Sequence, residues 1–412
     1  MILAQQTDFH DAETSIEALA PVAGNGRDII QRSLQAARKH LNLEVAYLSE
    51  FDGDETVFRH VDAPGLEALI KPGDRKSLDD VYCRHIVEGR LPELIPDTAA
   101  EPLAVAMPIT AAVPIGAHVS VPIRLANGKL FGMFCCLGPS PDASLNSRDI
   151  NVMRCFAELA AMEVEKEQKV SASLELRRQQ IAIILGQELI DIVYQPIWDT
   201  RTRSAMGFES LSRFRTEEQR RPDEWFAEAN ALGTGIELEC LAIRKALEGF
   251  CRLPHNCYLT INCSPSTVTS ETLANALNGQ PMQRVVIELT EHQKLEDVPA
   301  LTTALRRYRN AGARIAIDDA GSGYSGLQQI LELEPDIIKL DRFFVRSIEL
   351  DASKRAMAAA LATFARAVDS AIIAEGVETV EELGTLNALG FKHVQGYLLG
   401  KPTQLEHLTF SY

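Results

Sequence analysis

Residues 314–341 read RIAIDDAGSGYSGLQQILELEPDIIKLD, in which one apolar run ends on the paired carboxylates Asp318 and Asp319 and a second ends on Lys339. The same pattern recurs through the second half of the chain. Its apolar segments are DIVYQPIW (191–198), AMGFESL (205–211), CYLTINCS (257–264), RVVIELTE (284–291), RIAIDDAG (314–321), DIIKLD (336–341), AIIAEGVE (371–378) and HVQGYLLG (393–400). They alternate with helical patterns, and eight strands alternating with helices predict a (β/α)8 TIM-like barrel. The first two are joined only by DTRTRS (199–204), too short for a parallel crossover but suited to a hairpin, so one strand is expected to run antiparallel to the rest.

Most of these segments stay apolar until their last residues, where Glu209, Asn262, Glu288, Glu291, Asp318, Asp319, Lys339, Glu375 and Gln395 appear. In a barrel the C-terminal strand ends converge on one face, where barrel enzymes carry their active sites. Any one of these carboxylates could cap a helix or sit in a solvated loop. Five strands ending in carboxylate or amide would crowd like charges together, and cations resolve that conflict. Carboxylate and amide oxygens are hard ligands suited to Mg²⁺ or Mn²⁺, and adjacent Asp318 and Asp319 could let one carboxylate bridge two ions. Two ions about 4 Å apart are an established device for phosphate-ester hydrolysis. Lys339 could hold an attacking water, or form a structural salt bridge with the same carboxylates.

The 412-residue length suits two or three domains, and 46% hydrophobic with 24% charged residues is a globular composition. Arg27 to Leu41 has helical periodicity. LEVAYLSEFDGDETVFRHV (43–61) then reads as two strands about Asp52-Gly53-Asp54. HVSVPIRLANGKLFGMFCCLG (118–138) reads as a hairpin with a type I′ turn at Asn127-Gly128, and Cys135 and Cys136 should face opposite sides of its strand. A helix is expected from Asn146 to about Glu188, with Ile150, Met153, Ala157, Ala160 and Val164 at heptad-like spacing that could pair two copies. The divisions expected are an N-terminal extension (1–26), an α+β domain (27–165), a helical linker (166–188) and the barrel (189–412).

The net charge of −16 argues against nucleic-acid polymers and anionic membranes as partners, since both are held by basic surface. No apolar run approaches the roughly 20 residues that span a bilayer. The N-terminus has neither the basic start nor the apolar stretch of a signal peptide, so a cytoplasmic protein is expected. The eight cysteines show no zinc-like spacing and read as reduced thiols.

The order of YQPI, FESLSR, INCSP, IELTE, DDAGSGYS, IKLD, AEGVET and QGYLLGKP over residues 191–404 resembles the EAL-type cyclic di-GMP phosphodiesterase domain. The resemblance implies two divalent metal ions, Mg²⁺ or Mn²⁺. Glu209, Asn262, Glu288 and Asp318 would bind one, and Asp318, Asp319 and Glu375 would serve the other. It further implies that Lys339 positions the attacking water and Glu291 braces the loop after Asp319. Arg213 would contact a substrate phosphate, with Gln195 and Gln395 holding substrate or the site around it. The implied reaction opens cyclic di-GMP to linear pGpG. Two departures stand out: Ser210 in the name-giving Glu-Ala-Leu, and Ala320 where the family usually has Phe. A cyclic di-GMP receptor without turnover is the alternative; a protein-binding scaffold would predict eroded ligands, and none is visibly eroded.

The N-terminal half is similar to a GAF-type sensory domain through its element order and the stretches VYCRHIVEGRLPELIPDT (81–98) and VPIRLANGKLFG (121–132). That likeness implies a regulatory ligand of unknown identity. Neither Cys83 nor His85 is assigned one. A homodimer is expected, as cyclic dimers are the commonest oligomers.

Overall fold

The computed structural model describes residues 26–289, 297–320 and 331–408. Contacts divide the chain into two units, Met1–Glu175 and Leu176–Tyr412.

In the first unit the elements run α1 (Gly26–His40), β1 (Val45–Asp52), β2 (Glu55–Asp62), β3 (Arg75–Ser77), α2 (Tyr82–Val87), β4 (Leu94–Ile95), α3 (Pro102–Ala106), α4 (Pro108–Ala112), β5 (Ala117–Arg124), β6 (Leu130–Gly138) and the long helix α5 (Ser147–Gln187). The six strands pair antiparallel in the order β3-β2-β1-β6-β5-β4. Side chains alternate across the pleat and build two cores. Ala46, Leu48, Val119, Val121, Phe134 and Cys136 share one with α1 and α5. Val45, Tyr47, Met133 and Cys135 share the other with Tyr82, Cys83 and Ile86 of α2. Cys135 and Cys136 do face opposite ways.

Two expectations need correction. At the β5–β6 turn Gly128 has φ +80° and Asn127 has no positive φ, whereas a type I′ turn needs both. The turn is closed instead by the Gly128 N–H on the Leu125 carbonyl at 2.8 Å and the Leu125 N–H on the Lys129 carbonyl at 2.9 Å, after a register shift at Ile123/Arg124. The heptad-like residues Met153, Ala157, Ala160 and Val164 are buried in the first unit's own core, so that stripe is consumed within the chain and is not free to pair two copies. An amphipathic helix on a sheet and a coiled-coil seam share nearly the same spacing.

In the second unit β7 (Ile190–Asp199) and β8 (Ser204–Phe214) form the hairpin. They are followed by α6 (Pro222–Ala231), α7 (Gly235–Phe250), β9 (Tyr258–Cys263), α8 (Pro265–Thr269), α9 (Glu271–Ala276), β10 (Val285–Leu289), α10 (Val298–Asn310), β11 (Arg314–Ala320), β12 (Ile337–Leu340), α11 (Arg342–Val345), α12 (Ala352–Ala367), β13 (Ala371–Ala374), α13 (Val380–Ala388) and β14 (His393–Val394). The strands close a barrel in the order β10-β11-β12-β13-β14-β7-β8-β9. β7 is antiparallel to both its neighbours, β14 and β8, and the remaining pairs are parallel. The fold is therefore an eight-stranded TIM-like barrel with one reversed strand, preceded by an α+β domain.

Period-two alternation positions the site. Ile197, Tyr258, Val286, Ala316, Ile337 and Ile373 form one apolar cluster. Two residues further toward the same rim come Gln195 on the reversed strand and Thr260, Glu288, Asp318, Lys339 and Glu375 on or after the others. The opposite parity, including Ile287, Leu289, Ile315, Ile317, Ile338, Leu340 and Ala374, packs in the larger core with Leu301, Leu305, Leu361 and Ala365 of the helices. Ile287 is fully buried there. Ile287→Ala is expected to cost the second unit about 2–5 kcal/mol, read as a lower guanidinium midpoint for its unfolding transition.

Candidate active site

Parallel register sets Glu288 beside Asn262 and beside Ala316, two residues before Asp318. Gln195 pairs with Glu209 across the β7–β8 hairpin. At the centre stands Lys339, 1% exposed, with its Nζ 2.5 Å from Glu288 Oε1, 2.6 Å from Glu375 Oε1, and 3.5 Å from both Glu209 Oε2 and Asp318 Oδ1. The salt-bridge alternative for this lysine is thus realised with four carboxylates at once. Gln395 Nε2 donates to Glu209 Oε2 at 2.6 Å and to Gln195 Oε1 at 3.1 Å. Gln195 Nε2 donates to the Gly400 carbonyl at 3.2 Å, and Asn262 Nδ2 donates to Glu209 Oε1 at 3.3 Å. Ser210, the departure from Ala, donates to the Thr260 carbonyl at 2.7 Å and so ties β8 to β9.

Two glycines permit this closeness. Gly376, directly after Glu375, has φ +68°, in the left-handed region that favours glycine. A Cβ on Gly396, directly after Gln395, would lie 2.1 Å from the Val377 carbonyl oxygen. The loop after Glu375 is fastened by Glu382, whose carboxylate accepts from the backbone N–H groups of Ser347, Glu378 and Thr379 while Thr379 caps α13. AEGVET is therefore a site-building segment as much as a ligand-bearing one.

The charges do not balance. Four carboxylates face one ammonium, and burial pushes Glu288 well above the usual carboxylate range; Lys339 pulls it back while Asp318, Glu209 and Glu375 push it further up. Burial likewise raises Glu375 to about 8, against the pull of Lys339. Burial would lower Lys339, but the surrounding carboxylates raise it well above its ordinary value. Single oxygens of Glu288, Asp318 and Glu375 lie within 4.8 Å of one another, a spacing that a metal ion would satisfy. Glu288 Oε2 and Gln395 Oε1 are buried acceptors with no hydrogen-bond partner. A hard-oxygen donor set with excess negative charge and unsatisfied acceptors fits divalent cations.

Of the residues expected from sequence, Glu209, Asn262, Glu288, Asp318, Lys339, Glu375, Gln195 and Gln395 come together. Arg213 is exposed, lines the cavity of about 450 Å³ shared with Glu209, Asn262 and Asp318, and donates to the Ser212 carbonyl at 2.8 Å. Glu291, the Asp319 side chain and the loop expected to suffer from Ala320 lie outside the described residues. Glu239 on α7 was not anticipated. It lines the same cavity, is 8% exposed, and accepts from the Ser264 N–H at 2.8 Å and the Ser264 Oγ at 2.9 Å, fastening the turn just after Asn262. An acidic residue between Leu238, Cys240 and Leu241 on a mostly apolar helix was the available signal.

The EAL domain family model matches residues 175–402. The chain belongs to the EAL family. The GAF domain model matches residues 25–164, so a GAF domain precedes the EAL domain. The probable cyclic di-GMP phosphodiesterase PdeN of Escherichia coli K12 is 30% identical over 240 residues, covering 55% of this chain and 46% of its own length. The uncharacterised protein y4lL of Sinorhizobium fredii is 30% identical over 274 residues, covering 64% of this chain and 33% of its own. The chain thus spans less than half the length of these relatives. Among solved structures, the PaMucR phosphodiesterase in complex with c-di-GMP is 25% identical at TM-score 0.51, covering 57% of this chain and 100% of that one. No described helix is long and apolar enough to cross a membrane.

Lys339→Met removes the one cation among the described side chains paired with Glu288, and breaking a buried pair typically costs about 3–5 kcal/mol. The variant is expected to melt lower than wild type in chelator, with Mg²⁺ or Mn²⁺ recovering part of the loss in differential scanning fluorimetry.

Proposed function

We propose that the chain hydrolyses cyclic di-GMP to linear pGpG with divalent cations, and that its GAF domain regulates the reaction. The observation that carries this reading is the buried cluster of Glu209, Glu288, Asp318 and Glu375 around Lys339, opening onto the Arg213-lined cavity. The EAL family membership and the name of PdeN support the substrate.

Glu209, Asn262, Glu288, Asp318, Asp319 and Glu375 would hold two Mg²⁺ or Mn²⁺ ions, which supply Lewis-acid polarisation of the phosphate and charge stabilisation. Arg213 engages a non-bridging phosphate oxygen with a fork suited to that geometry. Lys339 Nζ, fixed by Glu288 and Glu375, orients the attacking water opposite the leaving ribose oxygen. The water oxygen bonds to phosphorus, the bond from phosphorus to that ribose oxygen breaks, and a proton ends on the released hydroxyl. Gln195 and Gln395 act on Glu209, fixing its carboxylate for its ligand role.

Purified chain is expected to turn over cyclic di-GMP with Mg²⁺ or Mn²⁺ and to yield pGpG on ion-exchange chromatography. Tight binding without turnover would favour the silent-receptor reading, which Ala320 in place of the family's aromatic keeps in play. Glu375→Ala should lower kcat by at least about 100-fold while affinity changes by less than about tenfold, the signature of lost transition-state stabilisation. Glu209→Ala should impair cation binding as well. Turnover at the wild-type rate by Glu375→Ala with cations saturating would remove this strand end from the catalytic centre.

Regulation by the GAF domain is supported by a cavity of about 150 Å³ in it, lined by Tyr47, Phe58, Leu66, Tyr82 and His118 among others, while every ligand candidate lies after residue 190. In the second unit Ile181 and Ile184 of α5 pack with Ile190, Trp225 and Leu238. A chain beginning at Ser171 is therefore expected to fold and bind cyclic di-GMP with an altered rate, measured by calorimetry and turnover. Loss of binding in such a folded chain would misplace the site.

A further inference from the structure

The cavity of the GAF domain has a more particular composition than a regulatory role alone requires. Among the described residues its lining holds no carboxylate, and Lys76 is its one side chain with a full charge. Val45, Tyr47, Phe58, Tyr82 and His118 of that lining are buried, while Leu69 and Lys76 are exposed at its rim. Aromatic rings build much of the interior. Tyr47 and Phe58 meet edge-to-face with centroids 4.9 Å apart, and Tyr82 and His118 do so at 5.0 Å.

Strand register explains why Lys76 belongs to the cavity. It stands opposite Thr56 in the β2–β3 pair, and directly paired side chains point to the same side of a sheet. Thr56 lies two residues before Phe58, so alternation puts Lys76 on the face that carries the Phe58 ring. Its neighbour Arg75 points the other way and is occupied by Asp52 at 2.5 Å and Glu55 at 2.7 Å. Lys76 forms no ion pair with any described residue. Thr56 itself is fully buried and its Oγ1 has no hydrogen-bond partner, so a hydroxyl on this face is also unused.

An apolar cavity of about 150 Å³ holds a benzene-sized body. Aromatic walls favour a ring there, because edge-to-face contacts add to what burial of its area contributes. A lysine stem lies along apolar surface while its ammonium stays in water, which places the positive charge at the mouth rather than inside. A cyclic nucleotide would bring a sugar, a phosphate and a base edge to a lining with few polar partners, leaving buried groups unsatisfied. We propose that the GAF cavity binds a small aromatic monocarboxylate, with its ring among Tyr47, Phe58 and Tyr82 and its carboxylate on Lys76. This names the ligand class for the regulatory reading above, and rests on that reading for its effect on rate but not for binding.

The test is isothermal titration calorimetry of benzoate into the full-length protein in chelator, where no cation in the barrel offers the carboxylate a second site. Saturable binding is expected, with benzamide, the uncharged counterpart, at least about tenfold weaker, as for loss of a charge-assisted hydrogen bond. Hexanoate, which keeps the carboxylate without the ring, should also bind more weakly than benzoate. Lys76→Gln should bring benzoate to the benzamide level, and Arg75→Gln, on the other face, should leave it unchanged. Both positions are exposed, and circular dichroism confirms that the variants fold. Absence of saturable benzoate binding, equal affinity for benzamide or hexanoate, full benzoate affinity in Lys76→Gln, or displacement of benzoate by cyclic AMP or cyclic GMP would overturn the proposal. Failure of the regulatory reading looks different: benzoate binds as described while the rate of cyclic di-GMP hydrolysis stays the same.

Discussion

One ammonium group, Lys339 Nζ, holds four carboxylates inside the barrel, and much of the second unit is arranged around that imbalance. Burying a carboxylate without a partner is costly, so Glu288, fully buried, is tolerated because Lys339 reaches it at 2.5 Å. Lys339 cannot neutralise all four, and burial pushes Glu288 and Glu375 above the usual carboxylate range despite its pull. A surplus of buried carboxylate oxygens of this kind fits divalent cations, whose charge would offset it. The surrounding amides serve the same end. The Gln395–Gln195–Gly400 chain and Asn262 fix both oxygens of Glu209, so its carboxylate is oriented before any ligand arrives.

The barrel was legible in the sequence because most of its segments end an apolar run on a polar residue, and each of the eight segments contains a strand. The reversed strand followed from the shortness of DTRTRS. Glu209, Asn262, Glu288, Asp318, Lys339, Glu375 and Gln395 were legible for the same reason, since strand ends in a closed barrel have one place to converge. Glu239 was not, because a buried carboxylate on a helix has no positional rule to announce it; its role depends on where the turn after Asn262 passes. The Met153–Val164 stripe was misread for partner pairing because helix-on-sheet burial and coiled-coil pairing demand similar spacing. The type I′ reading at Asn127-Gly128 failed because the dipeptide permits that turn without imposing it, and here the turn closes one residue wider, from Leu125.

The two units store polar groups in their cores differently. In the barrel, the buried charges sit at strand ends facing a cavity, where a ligand can complete them. In the GAF domain, Tyr47, Ser120 and Cys135 lie on neighbouring strands, with the Ser120 Oγ 2.9 Å from the Cys135 sulfur, and Tyr47, Cys135 and Cys83 of α2 share one core. Each unit leaves buried polar atoms without a hydrogen-bond partner, Glu288 Oε2 and Gln395 Oε1 in one and His118 Nδ1 in the other.

The account rests on the carboxylate cluster being a cation site, and electron paramagnetic resonance of Mn²⁺ titrated into the full-length protein tests this most directly. Saturable binding is predicted, weakened at least about tenfold in a folded Glu288→Gln variant. Absence of saturable Mn²⁺ binding, or equal affinity in Glu288→Gln, would contradict it.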